Sequence, residues 1–269
     1  MTSLIRPEIS GLSEYHLAQY PHSIKLNQNE NPYELPLPIK QEILDRLAAA
    51  RWSRYPAFVP AEQIDMLASF AGWVPEGTLL GNGSNDLLQL IFTAVLERGR
   101  TVVLSQPTFT LYTLLARGLG ADVREVLMRP DLSFDVDGII QAARTSKASL
   151  IVLCSPNNPT GTLMAEQDVV RIIEQTESLV VLDEAYVLCA WIAATSPHKL
   201  GSRGCLADLF EGNGCGRTEV WLCTHARGPG ARVEQDQAAV QRKYFYPDCG
   251  GGPYAPMADT QAVDYASCE

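Results

Sequence analysis

Two rhythms of apolar residues alternate along the first two thirds of the chain. The opening segment, through KLNQNENPYELP, is polar and proline-rich and predicts an extended arm with turns over residues 1–35. Behind Pro36 and Pro38, apolar Ile43, Leu44 and Leu47 fall at helical spacing and predict a helix over Ile39–Arg51. A turn at Arg54, Tyr55 and Pro56 separates it from a second amphipathic helix, Ala61–Phe70. The short apolar step Thr78–Leu80 runs into GNGSND and a strongly periodic helix over Asp86–Glu97. From Thr101 the order becomes strand, helix, strand. Strands are expected at Thr101–Leu104, Asp122–Leu127, Leu150–Cys154 and Leu179–Leu182, with helices at Thr108–Leu119, Val136–Arg144 and Ala165–Glu174 between them. Apolar strands alternating with helices specify an α/β fold whose mainly parallel sheet is covered on both faces.

Composition divides the chain in two. Leu, Ile, Val and Phe supply 58 of the first 187 residues but 12 of the last 82, below the roughly 20% floor of ordinary folded chains. The same 82 residues hold six of the seven cysteines and ten of the twenty glycines. Residues 36–187 therefore read as a folded domain, and 188–269 as a tail expected to be poorly ordered. Cys205, Cys215, Cys223, His225 and Cys249 have the spacing of no usual zinc site, which disfavours a metal or disulfide module there. A net charge of −10 with no basic stretch argues against nucleic acid or an anionic membrane as partner. No apolar run approaches the length of a membrane span, and MTSLIRPEIS lacks a signal pattern, so a cytoplasmic location is expected.

In sheets of this kind ligands bind beyond the carboxyl ends of the strands. Those ends carry GNGSND, SQPTF, SPNNPTG and DEAY. GNGSND sets glycines and small polar residues before a helix, where backbone N–H groups and the helix dipole form a phosphate site. Asn85 and Asp86 would equally cap that helix with no ligand at all. In SPNNPTG two asparagines present amides between prolines, although Pro159 and Gly161 also serve as plain turn residues. Asp183 ends an apolar strand, where an unpaired carboxylate is costly to bury, and so calls for a cationic partner or a helix N-terminus. Phe109, taken alone, reads as core. A nucleotide-binding glycine loop is a third reading of GNGSND, but it leaves DEAY and SPNNPTG without a role.

Together and in this order, NENP, GNGS, PTF-x-x-Y, SPNNPTG and DEAY resemble the fold-type-I pyridoxal-phosphate aminotransferases, and among them the histidinol-phosphate aminotransferases. The resemblance covers roughly residues 5–187. It implies a three-layer large domain and pyridoxal 5'-phosphate as cofactor. It further implies transfer of an amino group from histidinol phosphate to 2-oxoglutarate, giving imidazole acetol phosphate and glutamate, in histidine biosynthesis. Threonine-phosphate decarboxylase is the alternative within the fold; a non-catalytic protein that binds cofactor or dimerises is another. Residue by residue, it implies that Ser84, Asn85 and Asp86 hold the cofactor phosphate and that Phe109 stacks on the pyridine ring. Asn158 and Tyr186 would bond its phenolic oxygen, and Asp183 would pair with the pyridine nitrogen. Tyr55 would reach a partner subunit's ligand across a homodimer interface, and Asn29 and Glu30 would belong to an arm that closes over substrate.

The pattern stops after Tyr186. The family's Schiff-base lysine follows DEAY in a Ser-Lys turn, yet the only later lysines here are Lys199, in SPHKLG, and Lys243, in QRKYFY. A slipped reading frame near Val187–Cys189 accounts for this. Asp208–Gly212 encoded GAC-CTT-TTC-GAA-GGN reads Thr-Phe-Ser-Lys one base later, and Gln237–Gln241 permits Lys-Leu-Pro-Phe-Asn at the same offset. The expectation is an aminotransferase gene product whose end is frameshifted, whose small domain is missing or replaced, and which is inactive for want of its lysine.

Overall fold

Alternation along each strand decides which helices its side chains meet. The computed structural model describes residues 4–12, 29, 34–71 and 74–186, and the backbone of 219–222. Within residues 1–233, one of the two compact units of the chain, four strands form a parallel sheet. They are β2 (Thr101–Gln106), β3 (Asp122–Leu127), β4 (Leu150–Cys154) and β5 (Leu179–Asp183), in the order β3-β2-β4-β5. The register sets Val103 beside Ile151, Ile151 beside Val180 and Cys154 beside Asp183. A separate antiparallel pair joins β1 (Thr78–Gly81) to β6 (Glu219–Leu222).

Val103, Ile151, Leu153, Val180 and Leu182 face one side, where they pack on α6 (Val136–Ser146) and α7 (Glu166–Gln175). Val102, Leu104, Leu150, Val152, Cys154 and Val181 face the other, against α4 (Ser84–Val95) and α5 (Thr110–Gly118). The result is the expected three-layer α/β sandwich. Most of these side chains are completely buried, and each contributes about 1.5–3 kcal/mol relative to exposure. β3, with its Asp-Val-Arg-Glu-Val-Leu sequence, is an edge strand and largely exposed, as its charges require.

Element ends differ from the periodicity by a few residues, and one difference matters. α4 begins at Ser84, two residues before the expected Asp86. Gly83 adopts φ +88 as its N-cap, and no side chain caps the helix, so Asn85 and Asp86 lie inside the first turn. The turn is made by a glycine in a conformation that L side chains rarely adopt. Asp86 instead reaches back to accept, at 3.1 Å, the amide of Asn82, the residue before the N-cap.

Among its described residues the arm contains one helical turn, α1 (Pro7–Ser10). Arg6 donates to the Gly118 carbonyl at 2.9 Å, and Glu8 pairs with Arg98. α2 (Leu37–Ala49) and α3 (Ala61–Ala71) form as expected. No residue of α2 is buried, and Ile39, Ile43, Leu44 and Leu47 are exposed. Among the described residues no helix is long and apolar enough to cross a membrane. The tail expected over 188–269 lies outside the described residues except for β6.

Candidate active site

The carboxyl ends of β2, β4 and β5 are brought to one edge of the sheet by its parallel order, and α4 begins close by in the chain after β1. Asp183 is the last residue of β5. Leu182 points to α6 and α7, so the next side chain turns to the opposite face, with Cys154 and α5. It is 3% exposed. Tyr112, wholly buried on the first turn of α5, donates its hydroxyl to Asp183 Oδ2 at 2.5 Å. The Ala185 amide donates to Oδ1 at 3.0 Å.

No cation pairs with Asp183 among the described residues, and desolvation pushes its carboxyl above the ordinary aspartate range against the two donors, which pull it down. The Tyr112 hydroxyl is pushed well above the usual tyrosine range, first by burial and then by the Asp183 charge and by Cys154. A buried carboxylate that is hydrogen-bonded yet lacks a counter-charge is suited to receive a cationic ligand.

The SPNNPTG loop follows β4. Asn158 donates to the Tyr186 hydroxyl at 3.1 Å, and Asn29, from the arm, donates to the same oxygen at 3.0 Å. Two asparagines singled out in the sequence thus converge on the phenol of a third such residue, Tyr186. Asn157, 3% exposed, ties the loop to the one after β2. Its Oδ1 accepts from Thr108 Oγ1 at 2.8 Å, and its Nδ2 donates to the Pro107 carbonyl and to Thr160 Oγ1, each at 2.9 Å.

Phe109 is half-buried at the N-cap of α5. It packs on the core and meets Tyr112 edge-on, with ring centroids 5.6 Å apart and planes at 87°. Core and platform are therefore compatible readings of this ring. Ser84 is buried at the start of α4, while Asn85 and Asp86 are exposed. The Asp86 amide turns to the Gly83 carbonyl, whereas those of Ser84 and Asn85 meet no protein acceptor among the described residues. Such a pair of N–H groups at the positive end of a helix suits an anion.

Tyr55 is 91% exposed and belongs to none of these contacts. Glu30 lies outside the described residues, as do Cys205, Cys215, Cys223, His225, Cys249, Lys199 and Lys243. Two residues that lie in the quoted motifs without an assigned role, Tyr112 in PTF-x-x-Y and Asn157 in SPNNPTG, are central to the geometry. Tyr112 appears in sequence as one more aromatic on an apolar helix face, and Asn157 as half of an asparagine pair. The available signal was a hydroxyl placed where only hydrocarbon is needed.

The family model for aminotransferase class I and II matches residues 21–202. The chain is similar to histidinol-phosphate aminotransferase of Chlorobaculum tepidum, 48% identical over 164 residues, which are 61% of this chain and 47% of that protein. It is 43% identical over 187 residues to histidinol-phosphate aminotransferase of Prosthecochloris aestuarii, covering 69% of this chain and 52% of that one. The chain spans about half the length of these curated relatives. Among solved structures it resembles histidinol-phosphate aminotransferase from Sinorhizobium meliloti in complex with pyridoxal-5'-phosphate, with a TM-score of 0.68 and 25% identity over 82% of this chain and 63% of that one. A Thermus thermophilus aspartate aminotransferase mutant shares the fold at a TM-score of 0.69 and 20% identity, over 91% of this chain and 68% of that one.

Proposed function

The chain belongs to the class I and II aminotransferase family, and from that premise we propose that its large domain binds pyridoxal 5'-phosphate for amino-group transfer of the histidinol-phosphate type. The observation that carries this reading is Asp183, a buried, donor-held carboxylate with no cation beside it among the described residues. The donor set fits the cofactor at each end. Ser84, with the amides of the first turn of α4, suits its phosphate, and Asn158 with Tyr186 suits its phenolic oxygen. Phe109 supplies a ring face, and Asp183 a counter-charge for a protonated pyridine nitrogen. When bound, the cofactor supplies an electron sink for the carbanion at the substrate α-carbon.

The residues of this chain then bind and orient. Asp183 keeps a proton on the ring nitrogen, because a nearby anion favours the charged form of a base. Ser84 and the helix dipole hold the phosphate, while Asp86 remains engaged with Asn82 and contributes its place in the turn rather than its charge. Asn29 reaches the same phenol as Asn158, and so brings the arm to the ligand site. The amino donor is histidinol phosphate, a reading supported by the names of the curated relatives, with 2-oxoglutarate as acceptor implied by the sequence resemblance alone. A homodimer is supported by the exposed apolar residues Ile43, Leu44 and Leu47 of α2 and by Tyr55 beyond it.

The chain as it stands lacks the family's Ser-Lys after DEAY. We read its end as frameshifted and its action as cofactor binding without covalent attachment. Two measurements test this. The coding DNA at Asp208–Gly212 should read Thr-Phe-Ser-Lys one base later, and any codons that do not would end the frameshift reading. Absorption spectra with added pyridoxal phosphate should show binding that borohydride does not convert into a protein adduct. A reduced adduct on Lys199 or Lys243 would overturn the inactivity, and no binding at all would overturn the cofactor reading.

A further inference from the structure

Tyr112 is the one ionisable hydroxyl that the sandwich buries completely against Asp183 among the described residues. It sits three residues after Phe109, on the same first turn of α5, and its ring meets the Phe109 ring edge-on. The turn that presents an aromatic face therefore also fixes the carboxylate at the end of β5. Each Asp183 oxygen already accepts one hydrogen bond, Oδ1 from the Ala185 amide and Oδ2 from Tyr112. The Ala185 bond is local, two residues along the chain, and exists wherever the turn after β5 forms. The Tyr112 bond spans 71 residues and exists only because α5 packs on the sheet.

We propose that Tyr112 is a positioning residue for the ring-nitrogen partner: by donating to Asp183 Oδ2 it holds the carboxylate in orientation and keeps it a weak enough base that a shared proton stays on a bound heterocycle. A carboxylate with two donors is less basic than one with a single donor, since each bond stabilises the charge that protonation would remove. Without the Tyr112 hydroxyl, the proton between Asp183 and a pyridine nitrogen moves toward the carboxyl, leaving both groups neutral. The electron sink that depends on the charged ring is then lost even though Asp183 is intact. Among the described residues, the titratable groups acting on Tyr112 are Asp183 from β5 and Cys154 from β4, and the one acting on Asp183 is Tyr112. The inference rests on the reading of Asp183 as nitrogen partner, and its test separates the two.

The full chain is loaded with pyridoxal phosphate carrying 15N in the ring, and the nitrogen chemical shift is followed against pH. The wild type should show a protonated nitrogen across neutral pH. In Tyr112→Phe, which keeps the ring and its contact with Phe109, the protonation midpoint should fall by about one pH unit or more, as loss of one strong hydrogen bond requires. Cofactor affinity should drop on the order of tenfold. Replacement of Tyr112 by 3-fluorotyrosine gives a stronger donor at nearly unchanged volume and should move the midpoint upward. A structural role predicts no such opposed pair of shifts, so the fluorinated variant decides the matter even where Tyr112→Phe folds poorly. Equal midpoints in wild type and fluorinated protein would overturn the role of Tyr112 and leave that of Asp183 standing. A wild type that binds the cofactor with an unprotonated ring, or not at all, would overturn both.

Discussion

Asn157 and Thr108 hydrogen-bond at 2.8 Å although 49 residues separate them, and this contact clasps the loops that follow β2 and β4. Asn157 also donates to Pro107 and Thr160, so one side chain holds both loops that carry the proposed ring-binding residues Phe109 and Asn158. Asn157→Ala leaves the Thr108 hydroxyl and the Pro107 carbonyl without this partner in a buried place. It should lower the unfolding free energy by about 2–3 kcal/mol, measurable by urea titration. It should also weaken cofactor retention, although Asn157 is not among the proposed cofactor contacts. A variant as stable as the wild type would mean that the loops are held by other contacts.

Asp183 carries a pH signature in the cofactor-free chain. Its folded pKa lies above its unfolded value because burial outweighs its donors. The folded state therefore holds the proton more tightly, and the stability from this group is present below the ordinary aspartate pKa. It is lost as pH rises from there through the raised folded value. Asp183→Asn should remove that slope, seen as the difference between wild-type and variant unfolding curves over the window. With pyridoxal phosphate present, the variant should lose the binding that the charged carboxylate supports. Parallel wild-type and variant curves would contradict the burial argument.

Tyr186 accepts from Asn158 and Asn29 with one oxygen. Tyr186→Phe should reduce affinity for pyridoxal phosphate about tenfold, the loss of a hydrogen bond to a charged oxygen, with little change in stability because the residue is only half-buried. Asn158→Ala should act in the same direction, and the double variant should lose less than the sum, since the two groups share one network. Fluorescence titration of the cofactor would read all three. Strict additivity would place them in independent roles.

Gly81 ends β1 with no room for a side chain. A Cβ there would lie 2.5 Å from Leu87 Cγ, the branch point of a buried residue on α4. Gly81→Ala should therefore push Leu87 out of its packing and destabilise the domain by about 1–3 kcal/mol. Since Leu87 follows Ser84 by less than one turn, phosphate affinity should fall as well. Thermal unfolding with and without added pyridoxal phosphate would check both, and an unchanged midpoint would show that Leu87 yields without loss.

Much of this protein is local and was legible in one dimension. Strands β3 and β4 match their expected limits, and the apolar alternation on β4 and β5 names the two core faces directly. The exposed edge at β3 is visible in its charges. The start of α4 was misplaced because asparagine and aspartate are strong capping residues, whereas Gly83 turned the chain through a backbone conformation that composition does not announce. Tyr55, expected to act across a subunit interface, is exposed here and makes none of the contacts within this site. A motif records a residue's place along the chain but not what faces it.

Hydrophobic period, turn residues and the order of motifs determined that this chain builds a parallel α/β sandwich with its chemistry at the carboxyl ends of the strands. They do so because periodicity and turn chemistry act over a few residues. The pairings that make the site, Tyr112 with Asp183, Asn157 with Thr108 and Asn29 with Tyr186, were decided by the tertiary structure alone. A hydroxyl or amide buried in an apolar pattern must find a partner, but only packing of distant elements chooses which.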